Sequence, residues 1–254
     1  MSPLKGVQNI TFGKDMNLKT ADPRITRIRA FTSMELVVVV VIIVVLGVLF
    51  KIAAARPYSK APRIKCSSNL KQVALSFKLY AGDNDGQLPW QNSLLQEEPP
   101  PKQVWQYFLS ISNELSTPKI LICPSDVKRV QNVATNFSAD PAGLVNLSNR
   151  DTAISYFLGV TTTSNQPNAI LAGDRNLAPN EKASLYSSRV AMLVDVPTTS
   201  TWSPLPEQSI HDNAGNYALA DGSVQQASNA RLQEALRLAR DSYGTNANRM
   251  LFPQ

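Results

Sequence analysis

The chain of 254 residues contains one histidine, His211, so any histidine-based chemistry depends on that side chain. A Ser-His-Asp arrangement would need His211, an acid such as Asp221 and an activated serine. The sequence has no serine in a nucleophile-elbow motif. We therefore interpret His211 and Asp221 as structural residues that bracket a two-residue hairpin turn at Asp221-Gly222 and hold its loops by hydrogen bonds. We predict no catalytic residue and no enzymatic activity.

Two further acidic motifs have the residue types of a binding site. Asp83-Asn84-Asp85-Gly86 is similar to part of a calcium loop, but no glutamate stands where the bidentate twelfth ligand belongs. We interpret this motif as a turn that ends a helix. Gly173-Asp174-Arg175-Asn176 follows a predicted strand, and we interpret it as a turn with a local Asp174–Arg175 pair. We therefore predict neither a metal site nor a cofactor.

The charge distribution argues against a nucleic-acid-binding surface. The chain has a net charge of +6, but the basic residues cluster on both sides of one apolar segment. From Cys66 to the end, fourteen Lys and Arg residues stand against sixteen Asp and Glu residues. A surface that follows phosphates needs an excess of positive charge. We therefore expect no nucleic acid among the partners.

The apolar segment at residues 36–50 has no polar side chain, and counted from Phe31 the stretch is twenty residues long with one acid, Glu35. About twenty helical residues are needed to cross a bilayer core, so a transmembrane helix is predicted. Three interpretations stay open: a secretory signal peptide cleaved after Ala53-Ala54-Ala55, an uncleaved anchor, or the N-terminal helix of a pilin-like subunit. Glu35 favours the third, because an acid inside such a segment is costly unless it has a partner or a function.

The residues Arg29-Ala30-Phe31-Thr32-Ser33-Met34-Glu35-Leu36 and the valine and isoleucine run that follows resemble the class III signal of type IV prepilins and type II secretion pseudopilins. The resemblance implies that a prepilin peptidase cuts between Ala30 and Phe31. Phe31 then becomes the N-methylated first residue, and Glu35 guides assembly. The family usually has glycine before the cut, where this chain has Ala30. An alternative role for Glu35 is to mark the cytoplasmic border of the membrane helix.

Downstream of Pro57, apolar residues recur at helical spacing and predict a second helix with one buried face: Cys66, Leu70, Val73, Phe77 and Tyr80. A shorter helix is predicted near Val104. Strands are then predicted at residues 120–123, 154–160, 169–172, 190–196, 216–220 and 223–226, and an amphipathic C-terminal helix capped by Ser228 closes the chain.

Further motifs along the mature chain resemble pseudopilin-like proteins of Planctomycetes and Verrucomicrobia: Cys66 with Asn69-Leu70-Lys71-Gln72, Asp83-Asn84-Asp85-Gly86, Cys123-Pro124-Ser125-Asp126, Gly173-Asp174-Arg175-Asn176, His211 with Gly215-Asn216, and Asp221-Gly222. The resemblance implies an α+β, pilin-like fold. In it a long N-terminal transmembrane helix packs on an antiparallel β-sheet domain that ends in a C-terminal helix. We expect a leader at residues 1–30, the transmembrane and assembly helix at 31–56, and the periplasmic or extracellular domain at 57–254.

The chain has two cysteines, Cys66 and Cys123, and both lie in the domain that we expect to be exported. Exported domains commonly form disulfides, so we predict a bond that staples the second helix to the sheet. Two buried free thiols are the alternative.

The leading functional hypothesis is a structural subunit of a pseudopilus or type IV pilus-like filament. Its expected location is the inner membrane, as a single-pass protein. Its expected partners are prepilin peptidase, other pilin or pseudopilin subunits, an inner-membrane assembly platform and membrane lipid. The alternatives are a membrane-anchored or secreted binding module that uses the apolar segment only for export, and an exported hydrolase built on His211.

Overall fold

The structure, a computed structural model, describes residues 32–54, 60–92, 103–179, 193–204 and 210–253. The chain divides into two compact units, Met1–Ala54 and Ala55–Gln254. The predicted leader, with Ala30, and the predicted mature N-terminus, Phe31, lie outside the described residues. The α-helices of the described residues are α1 Ser33–Ala54, α2 Lys60–Asp83, α3 Val104–Ser110, α4 Ser112–Leu115 and α5 Asn229–Tyr243.

Helix α1 begins with a reciprocal pair of hydrogen bonds between Thr32 and Glu35. The backbone N–H and the hydroxyl of Thr32 each donate to Oε2 of Glu35 at 3.0 Å. The backbone N–H of Glu35 donates to Oγ1 of Thr32 at 3.3 Å. This is the capping-box arrangement, which satisfies N–H groups that the first helical turn leaves without partners. Glu35 therefore has a local role at the start of α1.

None of the helices in the described ranges is long and apolar enough to cross a membrane. The prediction of an N-terminal transmembrane helix packed on the sheet is therefore wrong. The uninterrupted apolar part of α1 is fifteen residues long, 36–50, and is bounded by Glu35 and Lys51. At about 1.5 Å per residue it extends roughly 22 Å, against a hydrocarbon core of about 30 Å. Within the unit Ala55–Gln254, helices α2 and α5 pack on the sheet.

Helix α2 presents one apolar face to the core. The five residues of the predicted helical face are all buried: Cys66, Leu70, Val73, Phe77 and Tyr80. Burying a side chain such as Phe77 stabilises the fold by roughly 1.5–3 kcal/mol. The helix ends at Asp83, where the backbone N–H of Gly86 donates to the carbonyl of Ala81 at 2.8 Å. Asp85 and Gly86 both have positive φ, so the motif forms a helix-ending turn.

The main sheet has six strands in the order β4-β8-β1-β2-β6-β7, and every neighbouring pair is antiparallel. A second, two-stranded sheet pairs β3 with β5. The strand bounds are β1 Tyr156–Gly159, β2 Ile170–Asp174, β3 Leu177–Ala178, β4 Leu193–Asp195, β5 Thr201–Trp202, β6 Ala214–Leu219, β7 Val224–Ser228 and β8 Arg249–Leu251.

The central strands of the main sheet are buried on both faces. Tyr156 and Leu158 of β1 lie in the hydrophobic core on the α2 side, whereas Phe157 between them lies in a second core with Leu232 and Leu236 of α5. Successive side chains of a strand point to opposite faces. The sheet is therefore a middle layer between α2 and α5, which explains why all residues of β1 and β2 are buried.

One predicted strand is a 3-10 helix in the structure, and three short strands, β3, β5 and β8, correspond to no predicted strand. Residues 120–123 were predicted as a strand, but Pro118–Leu121 forms a 3-10 helix. Pro118 occupies its first turn, and the hydroxyl of Thr117 accepts a hydrogen bond from the backbone N–H of Lys119. Strand β8 was not predicted, although it lies between β4 and β1. It has only three residues, too few to show an alternating pattern.

Candidate functional site

A disulfide joins Cys66 of α2 to Cys123, which follows the 3-10 helix at Pro118–Leu121. Both cysteines are fully buried, and their Cα atoms are 4.9 Å apart. Next to this bond, Asn69 donates through Nδ2 to the carbonyl of Ile122 at 3.1 Å, and the hydroxyl of Tyr156 donates to the carbonyl of Cys66 at 3.4 Å. The disulfide is thus embedded in a polar cluster where α2 meets the sheet.

Asp126 and Arg175 form a buried ion pair beside the disulfide. Nε of Arg175 lies 2.7 Å from Oδ2 of Asp126, and Nη2 lies 2.8 Å from Oδ1, so the contact is bidentate. The hydroxyl of Ser155 adds a third donor to Oδ2 at 2.9 Å. The side chains of both charged residues are at most 7% exposed. Such planar, two-point pairing is specific in geometry, and it ties the segment after Cys123 to the end of β2.

The predicted local pair between Asp174 and Arg175 does not form in this arrangement. Arg175 reaches Asp126, 49 residues away, whereas Asp174 contacts Asn216 and His211. Adjacent residues at a strand end point in opposite directions, so the two side chains enter different contacts.

Arg129 is a second buried guanidinium in the same region. It donates to the backbone carbonyls of Asp151 and Ile154 and, at 3.4 Å, to that of Pro253. Burial and the positive charge of Arg175 lower its pKa to about 9. These contacts tie the C-terminal segment to the loop that precedes β1.

Asp174 is fully buried at the end of β2. Its Oδ2 accepts hydrogen bonds from the backbone N–H of Asn216 at 2.7 Å and from the side-chain amide of Asn216 at 2.9 Å. Its Oδ1 has no hydrogen-bond partner among the described residues. Burial raises the pKa of Asp174 to about 7, against the lowering effect of the Asn216 hydrogen bonds.

His211 lies between Asp174 and the disulfide. Its Nε2 is 3.4 Å from Oδ2 of Asp174 and also 3.4 Å from Sγ of Cys123. Burial and the charge of Arg63 lower the pKa of His211 to about 4, so the ring is neutral at neutral pH. A nucleophile–histidine–acid relay uses both ring nitrogens, one for each partner. Here one nitrogen faces both neighbours, and the sulfur is part of a disulfide, so this geometry is not that of a relay.

Asp221 and Gly222 lie at the opposite end of β6 from His211. Leu219 pairs with Ser223 through a hydrogen bond of 2.9 Å, which leaves the three residues 220–222 as the loop rather than the two that were predicted. Gly222 has a φ of +86°, as expected for the glycine of a three-residue loop with a bulge. The structure therefore does not bring His211 and Asp221 together.

Two lysines of α2 hold this hairpin loop. Nζ of Lys71 donates to the carbonyl of Gly222 at 2.5 Å, and Nζ of Lys78 donates to the carbonyl of Asp221 at 2.7 Å. Beside the loop, a cleft of about 480 Å³ lies between the last turns of α2 and the segment after β1. Lys78, Gly82, Ser164 and Asp221 are among its lining residues.

The structure brings together motifs that are far apart in the sequence. Cys66, Cys123, Asp126, Arg175 and His211 belong to separate stretches of the chain, yet all lie in or beside the one buried cluster. Ser155, Tyr156 and Arg129 belong to the same cluster but were not predicted. Ser155 and Tyr156 lie inside an apolar stretch and read as ordinary strand residues, and Arg129 reads as a surface residue.

A disulfide, a buried ion pair and a buried Asp–His contact link α2, the loop after Cys123 and the ends of β2 and β6. In comparisons with known proteins, no protein-family model, no curated protein and no solved structure matches the chain.

Proposed function

We propose that this chain is an exported structural subunit of a type II secretion pseudopilus or a type IV pilus-like filament, assembled through α1. The observation that carries the proposal is the exposed apolar surface of α1. All its large apolar side chains from Leu36 to Val48 are between 42% and 62% exposed. A helix that is apolar on all sides needs other apolar surface to cover it.

Copies of the same helix are the occupant that fits this surface best. The apolar part of α1 consists almost wholly of valine, isoleucine and leucine, so no polar stripe marks one side for a single soluble partner. A bundle of such helices, drawn from several subunits, buries all sides at once. That is the arrangement expected in the core of a filament.

Glu35 is the one acid in this segment, and we assign it the role of setting the stagger between neighbouring subunits. After cleavage before Phe31, the new amine would stand four residues before Glu35 in the chain. A carboxylate that enters an apolar core loses water and needs a charged partner. The Phe31 amine of an adjacent subunit supplies that partner.

The domain after α1 has the features of an exported module. Its fully buried disulfide belongs to a class of bond that persists in oxidising compartments outside the cytosol. In this proposal prepilin peptidase processes the chain at the inner membrane, an assembly platform there adds it to the filament, and the domain lies in the periplasm or on the filament surface.

The test is the mature N-terminus together with assembly in the cell. Intact mass and N-terminal sequencing of the membrane-extracted protein should show a chain that begins at methylated Phe31. Cross-linking of the full-length protein in cells should give ladders of subunits. A mature chain that begins at Arg56, after Ala53-Ala54-Ala55, would refute the filament assignment.

An exported binding module is the second candidate function, and the cleft beside the hairpin loop favours it. In that case the apolar segment serves only for export, and removal of α1 leaves ligand binding intact. A mature chain that begins at methylated Phe31 favours the filament, whereas cleavage after Ala55 favours the binding module, because only the filament requires assembly through α1.

A further inference from the structure

We propose that the reduced form of this chain binds one Zn²⁺ ion through Cys66, Cys123 and His211, at the place where the oxidised form has its disulfide. The proposal does not depend on the filament function. It concerns only the domain Ala55–Gln254, and it assigns the buried cluster a second, metal-bound state.

The ligand atoms are already gathered at metal-site spacing. The two Sγ atoms and a ring nitrogen of His211 lie within 4.8 Å of one another, and all three residues are buried. Zinc binds thiolate at about 2.3 Å and imidazole at about 2.0–2.1 Å, so tetrahedral ligands lie about 3.5–3.8 Å apart. The distance from Nε2 of His211 to Sγ of Cys123 is 3.4 Å, close to that spacing.

Only the two sulfurs must separate to open the site. The Cα atoms of Cys66 and Cys123 are 4.9 Å apart, so rotation of the two side chains moves the sulfurs to ligand spacing. The backbone on both sides is held independently, by Asn69 bonded to the carbonyl of Ile122 and by the ion pair of Asp126. The site therefore survives loss of the disulfide.

Asp174, which contacts His211, is the candidate for the fourth ligand. Its side chain is fully buried, its Oδ2 lies 3.4 Å from Nε2 of His211, and its Oδ1 has no hydrogen-bond partner in the described part of the chain. Carboxylate oxygen is an ordinary zinc ligand at about 2.0–2.2 Å. A buried carboxyl oxygen without a partner is costly, and coordination would remove that cost.

The chemistry balances with a reductant of the phosphine or dithiol class. The disulfide takes up two electrons and two protons and becomes two thiols, while the phosphine is oxidised to its oxide with oxygen from water. Zinc then replaces the two thiol protons and, where the Asp174 carboxyl is protonated, its proton as well, and these protons are released to the buffer. His211 coordinates through Nε2 as a neutral ring, with its proton on Nδ1.

The consequence is that the same two elements are cross-linked in both redox states. The disulfide joins α2 to the segment after the 3-10 helix under oxidising conditions, and the metal ion would join the same two elements under reducing conditions and also attach the start of β6.

The experiment uses the full chain, reduced with a phosphine under anaerobic conditions and titrated with Co²⁺ as a spectroscopic substitute for Zn²⁺. We expect one equivalent to bind, with near-ultraviolet thiolate charge-transfer absorption and the visible bands of a tetrahedral ion, and Zn²⁺ should displace it. The oxidised chain should show neither signal. Absence of these bands from the reduced chain would overturn the proposal.

Three variants assign the ligands. His211→Gln should weaken affinity by at least about 100-fold, beyond the effect typical of an outer-shell partner. Asp174→Asn should weaken affinity and change the visible bands. Asp212→Asn is the matched control, because Asp212 is an exposed carboxylate next to His211 with a φ of +49° that asparagine also accepts. Equal affinity in His211→Gln and Asp212→Asn would exclude His211 as a ligand.

A measurement on the unmodified chain keeps the test valid if a variant fails to fold. Zn²⁺ should protect both thiols of the reduced chain from alkylation, and a chelator should restore their labelling. Unchanged labelling in the presence of Zn²⁺ would show that the thiols do not bind the metal.

Discussion

The residue pair Asp174 and His211 shows how burial acts on groups of opposite charge type. The same loss of solvent raises the pKa of the acid to about 7 and lowers the pKa of the imidazole to about 4. Both groups are thus neutral between these pH values. Two neutral partners 3.4 Å apart need less solvation than an ion pair in the same place. The pair therefore fits the interior of the domain without buried charge.

Asp174 and His211 contribute with opposite signs to the pH dependence of the free energy of unfolding. Asp174 loses its proton near pH 3.8 when unfolded but near pH 7 when folded, so its contribution to the free energy of unfolding is lost as pH rises through about 7. His211 binds a proton below pH 6.5 when unfolded but only below about 4 when folded, so its contribution is lost as pH falls through about 4. Between about pH 4 and 6.5 the two residues change the free energy of unfolding in opposite directions, so their contributions offset each other.

Substituting either residue alone should reveal how the other residue makes the free energy of unfolding of the oxidised protein depend on pH. In Asp174→Asn, the free energy of unfolding should rise with pH between about 4 and 6.5, relative to the unmodified chain. In His211→Gln it should fall with pH between about 4 and 7. Each slope is at most about 1.4 kcal/mol per pH unit. Urea denaturation over a pH series measures both, and parallel curves for all three proteins would show that the pair does not titrate in this way.

At the scale of elements, the start of α1 combines a structural role with a proposed functional one. Glu35 belongs to the capping box with Thr32, and it is also the acid to which we assign subunit assembly. The two roles use different properties of the side chain. The cap requires an oxygen that accepts a hydrogen bond, whereas pairing with a neighbouring amine requires a negative charge.

Two variants separate these roles. Glu35→Gln keeps a capping side chain but removes the charge, and Thr32→Ala removes the cap but keeps the charge. We expect Glu35→Gln to abolish cross-linked subunit ladders in cells, and Thr32→Ala to retain them while the helix loses about 1 kcal/mol of stability. Ladders that survive in Glu35→Gln and disappear in Thr32→Ala would mean that Glu35 acts only as a cap.

At the scale of the whole molecule, the domain Ala55–Gln254 is a three-layer unit with the disulfide at one junction. The sheet lies between the core of α2 and the core of α5. The bond from Cys66 to Cys123 closes a loop with a sequence separation of 57 residues. It therefore restricts the unfolded chain strongly and joins α2 to the segment that follows the 3-10 helix at Pro118–Leu121.

Reduction in the presence of a chelator should lower the free energy of unfolding by about 4 kcal/mol on the chain-entropy model. Urea denaturation with and without reductant measures the difference. The double variant Cys66→Ala, Cys123→Ala is the control, since reductant should not change its stability. In the unfolded, unreduced chain, alkylation should label neither cysteine, and full labelling would contradict the disulfide.

The features that the sequence determined by itself are local ones. The buried face of α2 follows from apolar residues at a spacing of three and four, and α5 has buried positions that its own periodicity predicts. The hairpin at β6 and β7 follows from Asp221-Gly222, although its loop has one more residue than predicted. Each of these signals is contained within a few neighbouring residues, so it can be read without knowledge of the fold.

The tertiary structure alone decided how distant motifs combine. Nothing in the order of residues indicates that Arg175 pairs with Asp126 rather than with Asp174, or that His211 contacts Cys123 across 88 residues. The position of β8 between β4 and β1 likewise depends on which edge of β1 is open. Such choices are made by long-range packing, where many weak contacts compete and most buried polar groups must find hydrogen-bond partners. The cluster beside the disulfide is therefore a property of the folded domain.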